Sequence, residues 1–148
     1  MRRLTLYVLF LALASAYSVA KEETVDELKA RFESARPEDR PELGIQIARH
    51  QLHNADRLYS SGNVEQARAA VDDIVTYSEK ARDAALQTNK HLKNVEIDAR
   101  KMAEKLRDIK RTLAFEDQPP VEQAIRRLED IRTVLLNEMF AKDKKEKK

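Results

Sequence analysis

His50, His53 and Asp56 are the residues whose types and spacing come nearest to a reactive or ligand-holding site in this chain. Steps of three along a helix place their β-carbons on one face, about 5–6 Å apart, so two imidazoles and a carboxylate can share a divalent cation. Arg49 and Arg57 flank the trio and oppose a cation, and two histidines with one carboxylate leave a metal site open. The competing reading is a polar helical face opposite an apolar stripe. His91, the third histidine, contributes a ligand only if the fold returns it to α-helical residues near position 50.

Other chemistry is thinly represented. The chain has no cysteine and no glycine-rich phosphate loop, and no serine falls on a strained turn beside a histidine. Its many carboxylates stand near Lys and Arg at helical spacing, which suits solvated faces better than perturbed catalytic acids. The expectation is therefore a protein that is not an enzyme, takes no cofactor, and acts on no small-molecule substrate.

The elements that position these residues are helical. Charged residues make up 36% of the 148-residue chain, with two glycines and four prolines, and good helix formers dominate. Aromatic residues are only 5%, which favours helices meeting along narrow seams over a deep apolar pocket.

The first twenty residues read as a secretory signal. Arg2 and Arg3 precede an apolar run, Leu4 to Leu13, interrupted only by Thr5, and Ser18-Val19-Ala20 supplies small residues before Lys21. Cleavage after Ala20 is preferred, with Ala14-Ser15-Ala16 as the alternative. An uncleaved anchor would have the 17 residues from Leu4 to Ala20, at the short limit for crossing a bilayer. The expectation is export to a bacterial periplasm or the cell exterior, with membrane contact confined to the periphery or to an uncleaved signal. Without cysteine there is no lipid attachment at the cleavage point and no disulfide. Taking Arg2 and Arg3 from 28 basic residues leaves 26 against 26 acidic ones, so bulk charge gives no support to nucleic acid as a partner.

Residues 21–141 read as one helical domain. Thr24 and Glu27 form a capping box for a helix over about 24–35, which Pro37 ends. Pro41 suits the start of a second helix over 41–61, with Leu43, Ile47, Ala48, Leu52, Ala55, Leu58 and Tyr59 on one face and Gly62 as its stop. Asn63 caps the third. From Val64 to Leu113, through Val71, Ile74, Ala85, Leu92, Val95 and Leu106, apolar or small residues recur at alternating steps of three and four, and no Gly or Pro intervenes before Phe115. That register predicts one long heptad-patterned helix over 63–115, about 78 Å at ~1.5 Å per residue. A break near Gln87 to Lys90 is the alternative. Pro119-Pro120 opens a last helix over 120–140, and the Lys-rich tail, 142–148, is expected to be disordered.

The segment around Gly62 resembles a tetratricopeptide unit in Ala55, Leu58, Gly62, Ala67, Val71 and Ile74. The resemblance covers about twenty residues, no second copy follows, and the second helix runs past the repeat's length. Any helical hairpin with a Gly turn shares this spacing.

The resulting expectation is an all-α, elongated antiparallel helical hairpin bundle of three to four helices, built on one long helix. Its middle, at Ala81, Ala85, Thr88 and Leu92, has small side chains that let a second chain approach, so a protein partner or self-association is expected there. The leading function is a structural, scaffold or chaperone-like module of the cell envelope. The alternatives are a metal-binding or metal-sensing module at His50 and His53, and a peripheral binder of anionic surfaces through the Lys-rich tail.

Overall fold

A computed structural model describes residues 23–146, which form five α-helices packed against one another; no strand occurs among the described residues. The apolar N-terminal run lies outside them. No helix among the described residues is long and apolar enough to cross a membrane.

Local sequence explains each helix end. Helix α1 (Val25–Ser34) begins at the Thr24 capping box: the Thr24 amide donates to Glu27 Oε2 at 2.8 Å and the Glu27 amide to Thr24 Oγ1 at 3.2 Å. Helix α2 (Arg40–Ser60) has Pro41 in its first turn and ends in a left-handed glycine, Gly62, with φ +79°. There the Asn63 amide donates to the Leu58 carbonyl at 2.9 Å and the Gly62 amide to the Tyr59 carbonyl at 3.0 Å, satisfying carbonyls the helix leaves open. Helix α3 (Val64–Thr88) starts without a side-chain cap from Asn63.

The expected single rod over 63–115 is broken. Asn89 and His91 both adopt left-handed backbone angles, φ 59° and 62°, and helix α4 (Leu92–Thr112) starts afresh after them. Asn tolerates this conformation better than most residues and can end a helix as glycine does. The three-four rhythm crosses the break because Thr88 and Leu92 are four apart whether or not the residues between them are helical. A 3-10 turn, Phe115–Asp117, leads into helix α5 (Gln118–Glu146), whose first turn holds both Pro119 and Pro120. Helix α5 continues past residue 140, so positions 142–146 of the tail are helical where the sequence suggested disorder.

Ion pairs and close contacts fix the helix directions. Gly44 faces Tyr77 and Ala81, while Gln51 donates to Asp73, so α2 and α3 are antiparallel. Arg49 pairs with Asp98 and Lys105 with Asp56, so α4 runs parallel to α2. Arg107–Glu129 and Lys110–Glu122 make α5 antiparallel to α4. The α2–α3 and α4–α5 interfaces are the most extensive, and α5 also lies along α3. Arg68 donates to Asp117 at 2.9 Å, tying the start of α3 to the entry of α5.

Within each helix the positions selected by apolar spacing are the buried ones. They include Ile47, Val71, Ile74, Val95, Met102, Leu106, Leu128, Ile131 and Leu135. Helix α1 covers one end of the bundle with Leu28 and Phe32, the latter edge-on to Tyr77 at 5.6 Å. Lys29 donates at 2.5 Å to the Asp73 carboxylate oxygen that also accepts from Gln51, locking α1, α2 and α3 together.

Gly44 permits the α2–α3 crossing. A β-carbon there would lie 2.9 Å from the Tyr77 carbonyl oxygen and 3.0 Å from the Ala81 methyl. Gly to Ala inside a helix ordinarily stabilises by up to ~1 kcal/mol, but an added carbon against backbone in a packed interior costs about 1–3 kcal/mol. Gly44→Ala is expected to lower the urea midpoint; a raised midpoint would show that the crossing has slack.

At the other end of the bundle the Tyr59 hydroxyl is buried with no hydrogen-bond partner among the described residues. Desolvation raises its pKa above the ordinary tyrosine value, with Arg68 opposing the shift. The stability that goes with a neutral phenol is full below that ordinary value, near 10, and is lost as pH rises through the raised one. Tyr59→Phe is expected to leave the neutral-pH melting temperature unchanged or higher, and to lose less stability than the wild type between pH 9 and 11, about one unit either side of that value.

Candidate functional site

An open groove of about 560 Å³ lies between the first half of α2 and the first half of α4. It exists because α2 and α4 run side by side but touch only lightly, belonging to different antiparallel pairs. Buried Ile45 and Val95 lie at its floor and half-buried Ile97 exposes its main apolar surface, while Gln46 and Asn94 add polar flanks and Glu42, Arg49 and Lys101 a charged rim of both signs. His91 and Pro41 line the same groove, so the left-handed turn that starts α4 also shapes its end.

One ion pair spans the groove. Arg49 donates to Asp98 Oδ1 through both Nη2, at 2.6 Å, and Nε, at 3.2 Å. The Asp98 side chain is 12% exposed and that of Arg49 58%, so a sheltered carboxylate is held by a solvated guanidinium. Directing both bonds at one oxygen leaves Oδ2 without a protein donor among the described residues. Glu96, on the opposite flank of α4, is similarly sheltered and accepts from Arg132 of α5 at 2.9 Å. Helix α4 is thus clamped on both sides by buried acids reaching outward bases.

His50 is half-buried and His53 exposed on α2, as a polar face requires. Asp56, the expected third ligand, instead accepts Lys105 of α4 at 2.9 Å, and its carboxylate raises the Lys105 pKa by hydrogen bond and charge. Residue spacing alone does not place α4 beside α2, because an unbroken three-four rhythm predicts a single rod. Among the described residues no group of three or more His, Asp or Glu side chains is arranged to hold a metal ion. His91 lines the same groove as Pro41 and Glu42, which are about two helical turns along α2 from His50.

The residues of the expected interaction seam are mostly interior. Ala81 and Ala85 are fully buried and Leu92 nearly so, while Thr88 is half-buried with its hydroxyl donating to the Ala84 carbonyl at 2.7 Å. These small side chains do not wait for a second chain: Ala81 meets Gly44 of the same molecule. Pro41, Arg49, His91 and Val95 stand out singly in the sequence, but nothing there joins them into a groove. The one signal for it was Asp98, an acid beside the buried position Ala99, which needs a base from elsewhere in the fold.

Compared with family models, with curated proteins and with solved structures, the chain matches none.

Removing Arg49 leaves the sheltered Asp98 carboxylate without its partner. Arg49→Ala is expected to cost about 1–2 kcal/mol in urea denaturation. The Arg49→Ala, Asp98→Asn double variant should recover part of that loss. Equal losses in the single and double variants would mean that the pair contributes nothing to holding α4 against α2.

Proposed function

We propose that this chain is an exported, non-catalytic interaction module of the cell envelope, and that it holds a segment of a partner protein in the groove between α2 and α4. The observation that carries this reading is the groove's make-up: a channel between two parallel helices with a narrow apolar floor, half-buried Ile97 over buried Ile45 and Val95, flanked by Gln46 and Asn94 and rimmed by Glu42, Arg49 and Lys101. An amphipathic helix laid along such a channel sets its apolar stripe on Ile97 and meets polar flanks and rim charges of either sign. Mixed charge favours a protein segment over a polyanion, which would call for an excess of bases.

Two features of the sequence support the setting and the shape. The run from Leu4 to Leu13 with Ser18-Val19-Ala20 supports secretion. The three-four apolar rhythm supports an elongated antiparallel bundle with coiled-coil-like seams, an architecture that offers long surfaces. A structural or chaperone-like role follows from a surface of this kind, in which the work lies in holding a chain.

A photo-crosslinking residue tests the reading at Gln46 or Lys101, with Arg126 on the exposed face of α5 as control. In cells, one and the same protein is expected to be captured from both groove positions and not from Arg126, and Glu42→Lys combined with Lys101→Glu should abolish the capture. Capture that is indifferent to position, or unchanged by the charge reversal, overturns the proposal.

A further inference from the structure

The end of the bundle formed by the α3–α4 turn and the last turns of α5 is strongly basic and carries an exposed aromatic side chain. The pairs Arg107–Glu129, Lys110–Glu122 and Arg132–Glu96 set the α4–α5 register, each step up α5 being a step back along α4. Carried forward, that register puts Phe140 level with the first turn of α4, and the rest of α5 passes beyond Leu92. Two groups of bases from distant parts of the sequence therefore share one pole: Lys90 and Lys93 from the turn and start of α4, and Lys142, Lys144 and Lys145 from α5.

Glu138, Asp143 and Glu146 in the same stretch of sequence offset part of this charge and leave the two groups of lysines in excess. Lys90, Lys93, Lys144 and Lys145 are exposed and form no ion pair among the described residues. Lys142 alone is engaged, with Glu138 at 3.5 Å. The first turn of α4 holds no acidic residue. Phe140 is 61% exposed among these bases, and Leu136, one turn earlier on the same helix, is half-buried.

We infer that this pole docks on an anionic lipid surface, with Phe140 entering the headgroup region and the lysines facing lipid phosphates. Charge alone would suit any polyanion, but the exposed ring argues for an interface with an apolar side, where an aromatic side chain beside lysines gains from both. The chain as a whole has balanced charge once the N-terminal Arg pair is set aside, so the basic pole is a local feature. None of these lysines lines the α2–α4 groove, although the turn at 89–91 borders both surfaces, and vesicle binding and groove crosslinking read the two proposals separately.

The test uses residues 21–148, whose buried core from Leu28 to Leu135 is complete without the apolar N-terminal run. Co-sedimentation is measured with vesicles of phosphatidylcholine alone and with phosphatidylglycerol added, across a salt series. Binding is expected only with phosphatidylglycerol, and weakening as salt rises. Phe140→Asp, Lys144→Ser with Lys145→Ser, and Lys90→Ser with Lys93→Ser should each weaken it by about tenfold or more, with helix content and melting temperature retained and groove crosslinking unchanged. Equal binding to neutral vesicles, insensitivity to these substitutions, or binding of single-stranded RNA through the same lysines without vesicle binding would each overturn the inference.

Discussion

Where α2 crosses α3, Gly44 lies against the Tyr77 carbonyl and the Ala81 methyl with no room for one further carbon. Much else depends on that distance. Because the backbones approach so closely, alanines on α2 and α3, among them Ala48, Ala55, Ala67 and Ala81, can be fully buried, and a core poor in aromatic residues still fills its space. The crossing also brings Gln51 and Lys29 onto the single carboxylate of Asp73, which holds α1 across the pair. A wider spacing would open voids along a row of methyl groups, and small side chains cannot close voids by changing rotamer.

The second antiparallel pair, α4 and α5, is built with larger residues, including Met102, Leu106, Leu128 and Leu135. Polar restraint matters more in docking it on the first. Asp98 reaches Arg49 of α2, Asp56 of α2 reaches Lys105, and Glu79 of α3 reaches Arg127 of α5. Such pairs add little net stability where solvent screens them. Their geometric effect is larger, because a sheltered carboxylate left without its base is costly and the register that supplies the base is preferred. The groove is what remains between two helices held in parallel by these links.

Burial within each helix was legible from residue spacing, since one face of a helix in contact with a core must repeat at three and four. Val71, Ile74 and Ala81 on α3, and Val95, Met102 and Leu106 on α4, are inside as that rule requires. Termination at Gly62, Pro37 and the Pro119-Pro120 pair was legible too, because these residues act on their own backbone. The turn at 89–91 was not. Its left-handed residues are Asn and His, and the spacing across it imitates an unbroken helix. Missing that reversal hid what depends on it: the lysine that takes Asp56, and the channel itself. A candidate site made by residues about fifty positions apart, such as Arg49 and Asp98, appears only when the path of the chain is known.

Residues 89–91 are also the sole covalent joint between the two antiparallel pairs. Each pair joins helices adjacent in sequence, so each can assemble through short loop closures before the two meet. The molecule is therefore organised like a pair of jaws on one short strap: closure of the bite between α2 and α4 is governed by how the pairs seat on one another, and the strap limits how far they can separate without either pair coming apart.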